Sequence, residues 1–462
     1  MARGRRSLVA SGLLAALSLL AAACGGKGVS TTSEAPTTIT FGTITATSES
    51  DVSYDVGVSA EPCLGEGHNP GNGCISLGIV TDLTKGPFSS MAAGMAAAQE
   101  DFWKAVNAGG GIGGFDVDLA PDDIFDARFN PDLAVEGFKA ISPGVVALAQ
   151  ILGSPEIRAL LPLMKADRTV AATASWWSGW AFPDIDGGLV LEAGAPYCIE
   201  SMNGFDWLVQ TRGKTFTYAI VGFPGDLGGD YAAGIRIAAL TNGMGPAVAE
   251  LQQTPIRSGG DVAATVAALA TAKPEVIFLA VGPEELAAIV SGVYAAEHQT
   301  ATYVGVGPSW DPGLLEQSDL MAILEQSYFN TAQWGGWNFD SEGHALMREA
   351  AEGNERSPGN GYVAGWVSQY ALKALLEKAI ANGDLTRTRG GIDVALSELE
   401  EVDYQDMLPV RSFVGTPDET VERQSLVSKV DSGSPDGLTL VTPLFSGPTS
   451  AGYEFGSPCY SG

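Results

Sequence analysis

Several short stretches carry residue types that could do chemistry, and each suits holding a ligand better than transforming one. Leu152-Gly153-Ser154-Pro155-Glu156 follows an apolar run and opens a helical pattern. With Ser154 at the N-cap and Pro155 in the first turn, the free backbone N–H groups and the positive end of the helix dipole suit a carboxylate. The same hydroxyl has an alternative use, capping its own helix. A second loop, Ala172-Thr173-Ala174-Ser175-Trp176-Trp177, sets a hydroxyl beside two indoles. Adjacent indoles in a loop are hard to bury together, so at least one is expected to line a cleft; plain packing is the alternative. Gly109, Gly111 and Gly114 satisfy G-x-G-x-x-G, but the order is helix, glycines, strand, the reverse of a dinucleotide site. They read as a helix C-cap and turn.

Catalysis finds little support. There is no G-x-S-x-G elbow, no H-E-x-x-H and no P-loop. His68, His298 and His344 sit among polar residues and read as surface side chains. The acid pairs Glu284-Glu285 and Glu400-Glu401 read as solvated helix faces. No enzyme, cofactor or metal is expected; an α/β hydrolase is the rival class, to be told apart by turnover of a bound compound.

The elements that must position these loops alternate. Ile75–Val80 is a short apolar strand, and Ser89 or Ser90 then caps a helix whose Met91, Met95, Ala98, Phe102 and Val106 share one face. Strands at 115–119, 145–149 and 169–172 and helices from Asn130 and Ser154 follow. A second series runs from Thr217 to Val306: strands at 217–223, 275–281 and 302–306, with helices at 230–241, 262–272 and 284–296. Such alternation predicts an α/β fold of two doubly wound parallel-sheet lobes. The expected division is 54–193 with 312–415 in the first lobe, and 194–311 with 416–462 in the second. Ligands in such sheets sit beyond the carboxyl ends of the strands.

The N-terminus reads as an export signal. Arg3, Arg5 and Arg6 precede an apolar run from Leu8 to Ala23, too short and Ala-rich for a comfortable membrane span. Ala21-Ala22-Ala23-Cys24-Gly25 resembles a lipobox, which would remove residues 1–23 and acylate Cys24. The Ser-, Thr- and Gly-rich residues up to 53 then read as a flexible tether. The chain carries a net charge of −29, which argues against nucleic-acid partners. Four further cysteines in an exported chain predict two disulfides, with three possible pairings. Cys63–Cys74 across a short Gly-rich loop is favoured, leaving Cys198–Cys459 to tie down the tail.

The stretch from Ile75 to Leu119 resembles the opening of type 1 periplasmic binding proteins, specifically the branched-chain amino acid (Leu/Ile/Val) branch. The resemblance rests on Leu83-Thr84-Lys85-Gly86-Pro87 and on Asn107-Ala108-Gly109-Gly110-Gly111-Ile112-Gly113-Gly114, the latter with one extra Gly. It continues more loosely through Gly282-Pro283-Glu284 and the segment Tyr362 to Ala381, covering about 75 to 415. It implies a monomeric binding lipoprotein whose two lobes, joined by three hinge crossovers, close on a small molecule and deliver it to an ABC permease. It further implies that Ser154 and Ser175 contact the ligand's amino and carboxylate groups and that Glu284, or its rival Glu285, receives an ammonium. Phe88, Trp176 and Trp177 join the candidate contacts. The Trp pair and Leu227 depart from the family pattern, which opens the site to larger, aromatic or less charged solutes. A ligand-sensing receptor component on the same fold is the other reading.

Overall fold

The computed structural model describes residues 52–65 and 67–461. The expected export signal, Cys24 and nearly all of the tether lie outside the described residues. Among those described, no helix is long and apolar enough to cross a membrane.

Two seven-stranded sheets form the frame. In the first, Gly73–Thr81 is central. It pairs in parallel with Phe115–Asp118 and Ile124–Asp126 on one side and with Ala147–Leu152 on the other. Ala171–Ala174 and Val190–Leu191 continue the parallel order, and Val58–Ser59 adds one antiparallel pairing. The second sheet repeats the plan: Ala249–Gln252, Tyr218–Gly222, Val276–Ala280, Thr302–Gly305 and Tyr328–Ala332 lie side by side in parallel. Two antiparallel strands absent from the sequence reading, Ser425–Val430 and Leu438–Phe445, extend it. Every residue of Ala147–Leu152 and Val276–Ala280 is buried, as expected of parallel strands covered on both faces. The Leu438–Phe445 edge is instead partly exposed along its length.

The chain passes between the sheets three times: after Val190–Leu191, after Tyr328–Ala332 and before Ser425–Val430. The second passage corrects the expected return at 312. Tyr328–Ala332 hydrogen-bonds to Thr302–Gly305, so the chain stays with the second sheet through Ala332. The long helix Asn360–Ala381 then packs on Ser89–Ala108 of the first lobe. The two helices approach closely because Gly361 and Gly365 face Met91 and Met95, where a Cβ would lie 2.3 and 2.4 Å from backbone oxygens. The tether expectation also ends early: Val52 is buried and Ser53 bridges Asp384.

Two of the three histidines are not surface residues. His298 is buried with Nε2 2.7 Å from Pro274 O, and His344 is fully buried between Ser341 and Gly335 O. Each imidazole finds local partners that sequence polarity did not reveal.

Both favoured disulfides are present, Cys63–Cys74 and Cys198–Cys459. The second anchors the C-terminal tail to the first turn of Tyr197–Arg212. Replacing Cys63 and Cys74 together by Ser should cost about 2–4 kcal/mol of stability, since the bridge closes a short loop of the unfolded chain. Denaturant titration of the double variant checks this; an unchanged midpoint would remove the loop's structural role.

Candidate ligand cavity between the lobes

In both sheets the strand order reverses beside the first strand of the lobe, and there the carboxyl ends of neighbouring strands open a crevice. The first lobe offers the residues after Thr81, Leu152 and Ala174; the second offers those after Gly222. Between them lies a cavity of about 300 Å³. At the roughly 30 Å³ that liquid water occupies per molecule, it has room for about ten non-hydrogen atoms.

The wall is mostly apolar. Phe88, the residue before the Ser89–Ala108 helix, meets Phe129 of its own lobe and Phe223 of the other edge-on, at centroid distances of 5.9 and 6.0 Å. Five prolines (Pro131, Pro155, Pro224, Pro255 and Pro308) and Leu152, Leu227 and Met91 add more apolar surface. Trp176 closes one side, held by its Nε1 donating to Ala193 O (2.7 Å) and by packing against Trp334 and Tyr197.

The polar groups are few and come mainly from one helix start. The helix begins at Ser154, with Gly153 before it at φ +98°, so Ser154 is one position further into the helix than the expected N-cap. Its hydroxyl does not cap the helix. It lies 2.6 Å from Ser175 Oγ, which also accepts from Trp180 Nε1 at 3.0 Å. Ser154 lines the cavity; Ser175 is fully buried behind it and sets the orientation of its hydroxyl.

Glu156 follows in the same turn and also lines the cavity. It is 1% exposed, and neither carboxyl oxygen has a hydrogen-bond partner. A Cβ on residue 153 would fall 2.0 Å from Glu156 Oε2, so the glycine makes room for this carboxyl. Burial pushes its pKa up to about 7, and the Asp82 carboxylate adds to the shift. Near neutrality the neutral and ionised carboxyl are then comparably populated, and below it the neutral form prevails.

The other carboxylate on the wall, Asp226 of the second lobe, is already paired. Arg158 Nη2 donates to its Oδ1 at 2.7 Å, and the guanidinium lies 4.1 Å from the Trp177 ring centroid. Burial raises the Asp226 pKa and Arg158 opposes this. Trp177 lies outside the cavity wall, bonded through Nε1 to Tyr460 O at 2.8 Å. Both indoles of the pair are thus buried, and only Trp176 reaches the cavity.

Glu284 stands apart. Its half-exposed side chain pairs with Arg257 at 3.0 Å and borders a separate surface depression. Glu285 is buried and accepts from Ile256 N at 2.6 Å. Neither lines the cavity. Sequence reasoning passed over Glu156, Phe129, Phe223 and Asp226. Glu156 lay inside the loop already singled out, but an acid in a first helical turn is ordinary.

The periplasmic binding protein family matches residues 75–435. The chain belongs to this family. A binding protein of this family works outside the cytoplasm, takes up a small molecule and has an ABC permease as partner. Among curated proteins, none matches the chain. Among solved structures it is similar to a fatty acid ABC transporter substrate-binding protein from Thermomonospora curvata. That pair shares 25% identity over 87% of this chain and 97% of the other, at a TM-score of 0.74. A branched chain amino acid ABC transporter from Thermus thermophilus with bound valine has the same fold, at 16% identity, 82% and 98% coverage and a TM-score of 0.68. So has a solute binding protein from Rhodopseudomonas palustris BisB5 in complex with 3,4-dihydroxy benzoic acid, at 15%, 81% and 96%, and 0.62.

Proposed function

We propose that this binding protein captures a small, largely apolar carboxylate of the fatty-acid type and delivers it to an ABC permease, working from a lipid anchor at Cys24. The observation that carries this reading is the composition of the cavity: three phenylalanines and five prolines around one unpaired carboxyl, Glu156. Likeness to the Thermomonospora curvata protein supports the ligand class. A free amino acid would need a charged partner for each of its two charged groups. On the wall of this cavity Asp226 is already committed to Arg158, Glu284 is elsewhere, and the remaining acid, Glu156, is pushed by burial toward its neutral form.

The ligand is held by closure of the lobes, with Ser154 and the free N–H groups of its helix turn meeting the polar end and the aromatic wall the chain. Cross-lobe bonds hold the closed form. Arg158 reaches Asp226, Arg257 Nη1 donates to Ser89 Oγ at 2.8 Å, and Asn360 Nδ2 donates to Gly307 O at 3.0 Å.

Octanoate, with ten non-hydrogen atoms, is the matching probe. The melting temperature of residues 52–462 should rise with octanoate concentration and stay constant with leucine, because only a compound that binds the native state stabilises it by mass action. A rise with leucine and none with octanoate would replace this reading with the amino-acid one.

A further inference from the structure

The buried Glu156 carboxyl is the one polar feature of the cavity that the fold does not explain. Beyond the weak pull of its own backbone N–H it meets no hydrogen-bonding group, and it is paired with no cation. An unpartnered buried carboxyl costs free energy unless something else satisfies it. The charged groups around it offer no help. Asp82, in the loop after Gly73–Thr81, is of like sign; its Oδ1 accepts from Gly86 N and its Oδ2 is itself unpartnered. Arg158, two residues along the helix, is committed to Asp226 of the facing lobe. The Tyr197 hydroxyl on the cavity wall is held far above its usual pKa by burial.

We propose that Glu156 in its neutral form is the headgroup donor of the cavity, giving one hydrogen bond to the ligand's carboxylate so that capture takes up a proton and release returns it. The inference rests on the carboxylate reading of the ligand. The balance is simple. When Glu156 is ionised in the free protein, one proton comes from water on binding, and the two carboxyl groups then share a single proton and a single negative charge. Ser154 Oγ and the first-turn N–H groups share that charge. An ionised Glu156 would instead repel the ligand. The same carboxyl therefore admits acids and discriminates against them as the pH rises.

The test measures octanoate affinity by calorimetry from pH 5.5 to 8.5. Octanoic acid titrates well below that window, as simple carboxyls do. With Glu156 at about 7, the competent fraction falls as pH rises, so the wild type should bind roughly thirty-fold more weakly at pH 8.5 than at 5.5. Glu156→Gln keeps a donor at every pH. It should match the wild type within about threefold at pH 5.5 and show no slope. Asp82→Asn should keep the slope. A slope that persists in Glu156→Gln, a wild type that binds octanoate with no slope, or octylamine binding that is lost in Glu156→Gln would each overturn the proposal while leaving a small-molecule binder. If octanoate binds neither form at any pH, the carboxylate reading itself falls and takes this inference with it.

Discussion

Raising the pH from 5 to 8 should lower the melting temperature of the ligand-free protein by roughly 10–20 °C. Five buried carboxyls are responsible. Glu156, Asp186 and Asp230 are pushed up to about 7, and Glu192 and Glu200 to about 8, in every case chiefly by burial. Glu200 is shifted despite accepting from Gly307 N, Thr331 Oγ1 and Gln333 Nε2, and Glu192 despite Arg411 at 3.8 Å. A carboxyl whose pKa is higher folded than unfolded holds a proton in the native state that the unfolded chain has released. Its stabilisation is present in full below the unfolded value, near 4, and is lost as pH rises through 7 to 8. Each group can contribute of the order of 3 kcal/mol. Glu192→Gln should flatten part of the slope, because its carboxyl oxygens have no hydrogen bonds to lose. Melting curves that stay level or rise from pH 5 to 8 would mean these acids are ionised in the native protein.

Such a set of acids was invisible in the sequence, and the reason is general. Periodicity reports which backbone is buried, but it does not say which acid rides along. The strands at Ile75–Val80 and Val276–Ala280 were legible because they are continuous apolar runs bounded by helices. Both lie at the centres of their sheets. Tyr328–Ala332 was not, because Asn330 and Thr331 interrupt the apolar pattern; both side chains are buried with partners, Asn330 Oδ1 accepting from Tyr328 Oη and Thr331 Oγ1 donating to Glu200. The sequence reading therefore closed the second lobe sixteen residues before that strand begins. The antiparallel strands after residue 424 lay beyond the reach of the repeating pattern.

The site was legible to the same degree. The loop at 152–156 could be found because a Ser-Pro pair opens a helix after a buried strand, and that loop does line the cavity. The Ser175 loop was found too, but its hydroxyl is second in line, behind Ser154. Glu284 and Glu156 are both first-turn acids in the sequence. Only packing separates them: one is exposed beside Arg257, the other is enclosed with no partner. No local pattern carries that distinction, because it depends on residues distant in the chain, Arg257 for one and Asp82 for the other.

Phe88→Ala should weaken octanoate binding by about 30–100-fold. The side chain is buried where the two lobes meet, edge-on to Phe129 on one side and Phe223 on the other. Full burial of a phenylalanine is worth about 2–3 kcal/mol, and an edge-on aromatic pair adds about 0.5–1.5 kcal/mol. The contact with Phe129 lies within one lobe, whereas the contact with Phe223 joins the two, so closure on a ligand would draw on the second and not the first. Truncation therefore penalises the closed, ligand-holding form more than the open one, and the loss should appear mainly as faster dissociation. A double-mutant cycle with Phe223→Ala isolates the cross-lobe contribution, and the two losses should add to more than the double variant shows. Phe88→Leu, which keeps most of the apolar surface, should recover most of the affinity. If Phe88→Ala changes the dissociation constant by less than threefold, the aromatic wall does not face the ligand and the apolar reading of the cavity loses its foundation.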